Sequence, residues 1–263
     1  MSLLTDRLGE LKKQGRKGLI VYLTAGYPGM DITLEAVLAA AEAGADLVEI
    51  GIPFSDPIAD GPVIQKAATL ALKAGATTAK TLELIRRIRS RSSVPLAVMT
   101  YINTILSYGP EEFVRDAKAA GVDGIIVPDL PPEEAELLAG NCSAGDVALI
   151  KFVAPTSTAD RIKTICQGAE GFIYCISTTG VTGVRAVDYS AVAAAISQVR
   201  ANTDLPVAIG FGIGGPEAAR AAAKHADAVI VGSAIIEQLT SDGVDGVRRL
   251  VGSIRQGLDK ESD

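Results

Sequence analysis

Eight short apolar runs recur along the chain, each followed by a segment of helical character, and no other feature restricts the fold as much. They lie at residues 19–24, 47–51, 96–100, 124–127, 148–153, 171–176, 206–210 and 228–231. Each is apolar on both faces, so a strand made from it must be covered on both sides, as in a parallel sheet. Helices are predicted between and after them at 31–43, 62–74, 81–91, 111–120, 133–139, 159–167, 190–201 and 217–224. Asp31 is read as the cap of the first of these and Gly44 as its stop. Leu3, Leu4, Leu8 and Leu11 at helical spacing place one more amphipathic helix ahead of the first strand. This alternation within 263 residues predicts an α/β fold, a closed (β/α)8 TIM barrel with an additional N-terminal helix, rather than an open sheet. No linker or shift of composition divides the chain, and residues 1–263 are expected to form a single domain. The segments ending at Asp46, Asp123 and Asp227, which resemble one another, read as punctuation between helix and strand.

Composition excludes several classes of function. With 25 basic and 31 acidic residues the formal charge is −6, and no basic run interleaved with aromatics offers a nucleic-acid footprint. Arg86, Arg87, Arg89 and Arg91 read as a solvated helix face. Cys142, Cys166 and Cys175 are odd in number and far apart, which argues against disulfides and zinc and for reduced, buried thiols. The single histidine, His225, leaves no multi-histidine metal site, so no metal is expected and proton chemistry falls to carboxylates, Tyr or Lys. No run approaches the length of a membrane span, and the charged start has no signal-peptide core, so a cytoplasmic protein is expected.

The chemistry concentrates in residues 47–62, LVEIGIPFSDPIADGP. Glu49 shares a strand face with Leu47 and Gly51, and a carboxyl so placed is either buried or at a strand mouth. Burial disfavours its charged form and makes it able to donate and accept a proton near neutral pH. Past Gly51, three prolines bar the loop from the sheet and Asp60 stands beside Gly61 and Pro62. The plainer alternative makes Glu49 a structural acid and Asp60 and Gly61 helix caps. No Lys or Arg lies between 47 and 62 to neutralise the acids, which weakens it.

Glycine-rich loops follow the sixth, seventh and eighth strands: STTGVTG at 177–183, GFGIGGP at 210–216, and Gly232 with Ser233. In barrels of this kind the last two positions bind phosphate on backbone amides, and the first reads as a glycine-hinged lid. The 210–214 glycines lack the acid on a following strand that a dinucleotide fingerprint requires, which sets a nicotinamide cofactor aside.

The stretch VEIGIPFSDPIADGPVIQ (48–65), with the GVTG segment and Gly232-Ser233, resembles the tryptophan synthase alpha subunit family over essentially the whole chain. The resemblance implies a carbon–carbon lyase of tryptophan biosynthesis that cleaves indole-3-glycerol phosphate to indole and glyceraldehyde 3-phosphate by retro-aldol chemistry, without cofactor. It implies Glu49, Asp60 and Tyr174 as catalytic residues. Tyr22, Met99, Ile126, Phe152, Thr182 and Phe211 would line the substrate pocket, with Gly183, Gly212, Gly232 and Ser233 holding the phosphate. It also implies a beta subunit, itself carrying pyridoxal phosphate, in an alpha2beta2 complex that receives the indole. The chain departs from the pattern at Thr178, where some members place Arg in the lid. Two rivals stand beside this reading: a Schiff-base aldolase using Lys151 within the apolar strand 148–153, and a catalytically dead barrel kept as a binding partner.

Overall fold

The computed structural model describes residues 2–176, 190–210 and 212–260. Helix α1 (Leu3–Lys13) leads into β1 (Gly18–Thr24), α2 (Met30–Glu42), β2 (Leu47–Gly51), α3 (Pro62–Lys73), α4 (Thr78–Arg89), β3 (Leu96–Met99), α5 (Ile102–Tyr108), α6 (Pro110–Ala120) and β4 (Gly124–Ile126). There follow α7 (Glu136–Gly145), β5 (Ala148–Val153), α8 (Ala159–Cys166), β6 (Ile173–Ile176), α9 (Ser190–Arg200), β7 (Val207–Gly210), α10 (Pro216–Ala223), β8 (Ala228–Val231) and α11 (Ser233–Asp259). The eight strands pair in parallel and in sequence order, with β8 closing on β1.

Strand parity sorts the apolar residues into two cores. Val21, Val48, Val98, Ile125 and Val229 face outward into the layer shared with the helices. Ile20, Leu47, Ala97, Ile126 and Ile230 face the lumen. Leu4, Leu8 and Leu11 of α1 join this lumen core, so the added helix plugs the floor of the barrel. Its fit depends on glycine: a Cβ on Gly124 would stand 2.9 Å from one methyl of Leu4, and one on Gly171 2.8 Å from the other.

The recurring Asp segments are register pins. The carboxylate of Asp46 accepts the Leu19 N–H at 2.9 Å, that of Asp123 the Leu96 N–H at 2.9 Å, and that of Asp227 the Val207 N–H at 2.9 Å. In each case the Asp N–H donates to the carbonyl of the same strand residue at 2.8 Å. Arg7 and Arg255 balance Asp46, Arg89 balances Asp123, and Arg200 balances Asp227. One device thus ties β1, β3 and β7 to the segments that enter β2, β4 and β8.

Local chemistry differs from expectation in three places. Gly29, not Asp31, is the N-cap of α2; Asp31 sits in the first turn and pairs with Arg87 at 2.7 Å. Thr33 does the tying instead, accepting the Gly26 N–H and donating to the Gly29 carbonyl at 2.9 Å. Helix α5 was not expected, because one buried residue, Ile105, carries too little periodicity to show in sequence. The helix read at 133–139 is a 3₁₀ turn (Pro132–Glu134) followed by α7, which continues through Gly140 because Leu138 and Cys142 bury one helical face.

Replacing Leu4 with Ala removes the side chain that fits against both Gly124 and Gly171. Urea unfolding is expected to show a loss of about 3 kcal/mol with little change in slope, the cost of a buried leucine cavity.

Candidate active site

Parity turns Glu49 into the lumen between Leu47 and Gly51, while Val48 and Ile50 point to the helices. Glu49 is 0% exposed, and neither carboxyl oxygen has a hydrogen-bond partner among the described residues. A structural buried carboxylate keeps a cation or several N–H donors; Glu49 has neither among the described residues. Burial alone pushes its pKa up to about 8, so at neutral pH it is a neutral acid holding its proton.

Two tyrosines lean over two glycines at the same height. Tyr22 of β1 is the register partner of Glu49, and its hydroxyl occupies the space that a Cβ on Gly51 would need. Tyr174 of β6 lies over Gly210 of β7 in the same way, and its ring packs on Phe152 with centroids 4.7 Å apart. Thr24, on the lumen side of the same strand as Tyr22, donates to the Tyr22 hydroxyl at 3.4 Å. Both phenols are pushed well above their ordinary range, first by burial and then by the nearby acids, Asp60 foremost for Tyr22 and Glu49 for Tyr174.

Asp60 is 8% exposed on the loop between β2 and α3. The α3 N-cap is Gly61 and no side chain caps it, so the Asp60 carboxylate is free of that duty. The loop is held by the Gln65 amide, which donates to the Asp60 carbonyl at 2.9 Å, and by Tyr101, whose hydroxyl accepts the Ala59 N–H at 2.9 Å. Tyr101 also stacks on Phe54 at 5.2 Å. Burial raises Asp60 to about 6, with the Tyr101 hydroxyl pulling the other way. At pH 7 Asp60 is ionised while Glu49 is not, which is how neighbouring carboxyls take separate acid and base roles. Tyr101 and Thr24 are the site residues that sequence reasoning left without a role. Their signals were present: Tyr101 lies two residues past the end of β3, and Thr24 has the parity of Tyr22.

Around these groups, Ile126 is fully buried while Met99 and Phe152 are half-buried against the lumen core. Gly212 adopts the left-handed conformation (φ 74°) in the loop after β7, as a glycine there requires. Gly232 is the N-cap of α11 and Ser233 its first residue; no side chain caps the turn, and the Ile235 amide donates to the Gly232 carbonyl at 2.9 Å. A Cβ on Gly232 would lie 3.5 Å from the Tyr22 Cβ, which puts this helix end on the rim beside the tyrosine. Thr178, Thr182, Gly183 and Phe211 lie outside the described residues. Lys151 points away from the lumen: its ammonium donates to the Gln167 carbonyl at 2.7 Å, whereas its neighbour Phe152 faces inward. A lysine so placed cannot form a Schiff base in the pocket.

Burial of Glu49 also has a cost in stability. The folded chain keeps this proton up to about pH 8, whereas the unfolded chain releases it near the ordinary value of 4.5, so stability associated with Glu49 is full below the lower value and is lost as pH rises through the higher one. Glu49→Gln is therefore expected to raise the thermal midpoint relative to the parent, by a margin that grows from about pH 5 to about pH 8. Melting curves across that range test it, and a constant margin would contradict the burial argument.

Comparison with known proteins gives the family of the chain. The sequence profile described as "Tryptophan synthase alpha chain" matches residues 8–256. The chain is 46% identical over 262 residues to the tryptophan synthase alpha chain of Synechococcus elongatus, covering 99% of this chain and 98% of that one. It is 50% identical over 250 residues to that of Gluconacetobacter diazotrophicus, covering 95% and 91%. Among solved structures, tryptophan synthase subunit alpha from Legionella pneumophila superposes with a TM-score of 0.91 at 35% identity, covering 99% of both chains. A chain of Mycobacterium tuberculosis tryptophan synthase gives 0.91 at 37% identity, covering 98% of both. With its profile, its relatives and its barrel in accord, the chain belongs to the tryptophan synthase alpha chain family.

Proposed function

We propose that this chain cleaves indole-3-glycerol phosphate with Glu49 as proton donor, Asp60 as the anion that holds the indole nitrogen, and Tyr174 as the group that steadies the polar end of the substrate. The family places it in tryptophan biosynthesis as a lyase acting on that compound. The observation that carries the assignment of roles is the fully buried Glu49 carboxyl, without a hydrogen-bond partner among the described residues, on the strand that leads into the Asp60 loop; burial favours its protonated form.

Retro-aldol cleavage needs a proton delivered to the ring carbon that bears the side chain and a proton removed from the hydroxyl on the adjacent carbon. Glu49 supplies the first; the carboxylate that results takes the second, so the residue ends the cycle as it began. Protonating the ring puts positive charge on the indole nitrogen, and Asp60 accepts its N–H and offsets that charge. The carbon–carbon bond breaks to give indole and the aldehyde of glyceraldehyde 3-phosphate. Ile126, Met99 and Phe152 wall the ring, with Phe211 and Thr182 completing the pocket. Gly183, Gly212, Gly232 and Ser233 hold the phosphate, a role favoured by the N-terminus of α11, which no side chain caps.

The partner is a beta subunit that carries the pyridoxal phosphate and consumes the indole, in an alpha2beta2 assembly within the cytoplasm. No described helix is long and apolar enough to cross a membrane, which accords with that setting. Ile58, 83% exposed on the Asp60 loop, is an apolar group suited to a protein contact.

Indole release from indole-3-glycerol phosphate, with and without a beta subunit, tests the reading. Glu49→Gln is expected to lose activity by at least about a hundredfold while still binding glyceraldehyde 3-phosphate; near-parental release would refute the assignment. Asp60→Asn should lose most activity, and an unchanged rate would reduce Asp60 to a loop residue. Because Glu49 must start protonated and Asp60 ionised, kcat/KM should fall as pH drops below about 6 and as it rises above about 8. A profile flat from pH 5 to 9 would sink both roles.

A further inference from the structure

The phenolic proton of Tyr22, the register partner of Glu49, has no recipient among the described residues. Tyr22 is 6% exposed, and its only hydrogen bond among the described residues is the one it accepts from Thr24 at 3.4 Å. That contact uses a lone pair and leaves the phenolic O–H unassigned. Glu49 has the complementary deficit: two buried oxygens with no donor. The two residues are register partners on adjacent strands and share the lumen face. Tyr22 is kept there by the gap at Gly51, since any side chain at that position would displace its hydroxyl.

While Glu49 is protonated the mismatch is tolerable, because a neutral carboxyl in an apolar lumen has a modest need for donors. Once it has given its proton to the substrate, a bare carboxylate would stand in a site without a cation. An oriented O–H that is already desolvated is the kind of fixed dipole that stabilises such a charge without reorganising solvent. We propose that Tyr22 is a positioning residue for proton transfer: held over Gly51 and bonded by Thr24, its hydroxyl donates to the Glu49 carboxylate when Glu49 has released its proton. The inference rests on Glu49 being the proton donor and assigns to a residue otherwise read as a wall of the pocket a polar duty of its own.

The titratable groups that face Glu49 are Tyr22 from β1 and Tyr174 from β6, with Asp60 and Tyr101 around the mouth. Tyr174 is the competing donor: its hydroxyl lies over Gly210 as that of Tyr22 lies over Gly51, but it arises from β6, whereas Tyr22 is the register neighbour of Glu49 on the adjacent strand. The test is carbon-13 NMR of carboxyl-labelled glutamate in the substrate-free chain, with the Glu49 resonance identified by its loss in Glu49→Gln. Tyr22→Phe keeps the ring and removes only the hydroxyl. It is expected to move the Glu49 midpoint upward by about 1–2 pH units, the size of one hydrogen bond to a charged group. Steady-state indole release should fall about fivefold in kcat with KM little changed. Coincident Glu49 midpoints in parent and Tyr22→Phe would overturn the proposal, as would a shift produced by Tyr174→Phe and not by Tyr22→Phe. The titration reads Glu49 directly, so a parent chain that releases no indole would defeat the proposed reaction without altering this result.

Discussion

A residue in a closed parallel barrel can point its side chain to the lumen or to the helices, and to nothing else. Every other property of this chain follows from that restriction. It divides Leu47, Glu49 and Gly51 from Val48 and Ile50, and it separates Phe152 in the pocket from Lys151 on the outer face. Closure also removes water from the lumen. The floor is sealed by Leu4, Leu8 and Leu11, so polar groups inside answer to one another rather than to solvent.

The electrostatic contrast at the mouth grows from this dryness. Glu49 and Asp60 are separated by 11 residues of sequence and belong to one strand-and-loop unit, yet they take opposite protonation states. Glu49 has no donor among the described residues and burial favours its neutral form; Asp60 has the Tyr101 hydroxyl, which pulls it toward the ionised form. Two glycines, Gly51 and Gly210, matter here by what they lack, since each yields the volume a tyrosine fills. Loss of either space would push a phenol into the pocket while leaving the barrel's hydrogen-bond ladder whole.

Much of this was legible in the residues. All eight strands fall within a few residues of where apolar runs placed them, because a strand buried on both faces leaves a continuous signature. Glu49 and Asp60 stood out because acids inside or beside an apolar run are costly unless used. Less was visible where a decisive partner lies far off in sequence. Helix α5 is held mainly through Ile105, too little for a pattern. Asp31 has a capping residue's identity, but the turn closes through Thr33 and Gly29. Tyr101 became part of the site because β3 lies next to β2 and brings its hydroxyl to the Ala59 amide, 42 residues away along the chain.

The sequence by itself determined the alternation of strand and helix, the parity that sends Glu49 inward, and the absence of any cation in the segment around it, because these depend on neighbours a few residues apart. The tertiary structure decided how strongly that acid is desolvated, which tyrosine stands beside it, and that Asp60 is released from capping α3. It also showed the three recurring Asp residues to be pins between neighbouring strands. Those properties arise from groups brought together by barrel closure, and no local pattern encodes a distance across a lumen.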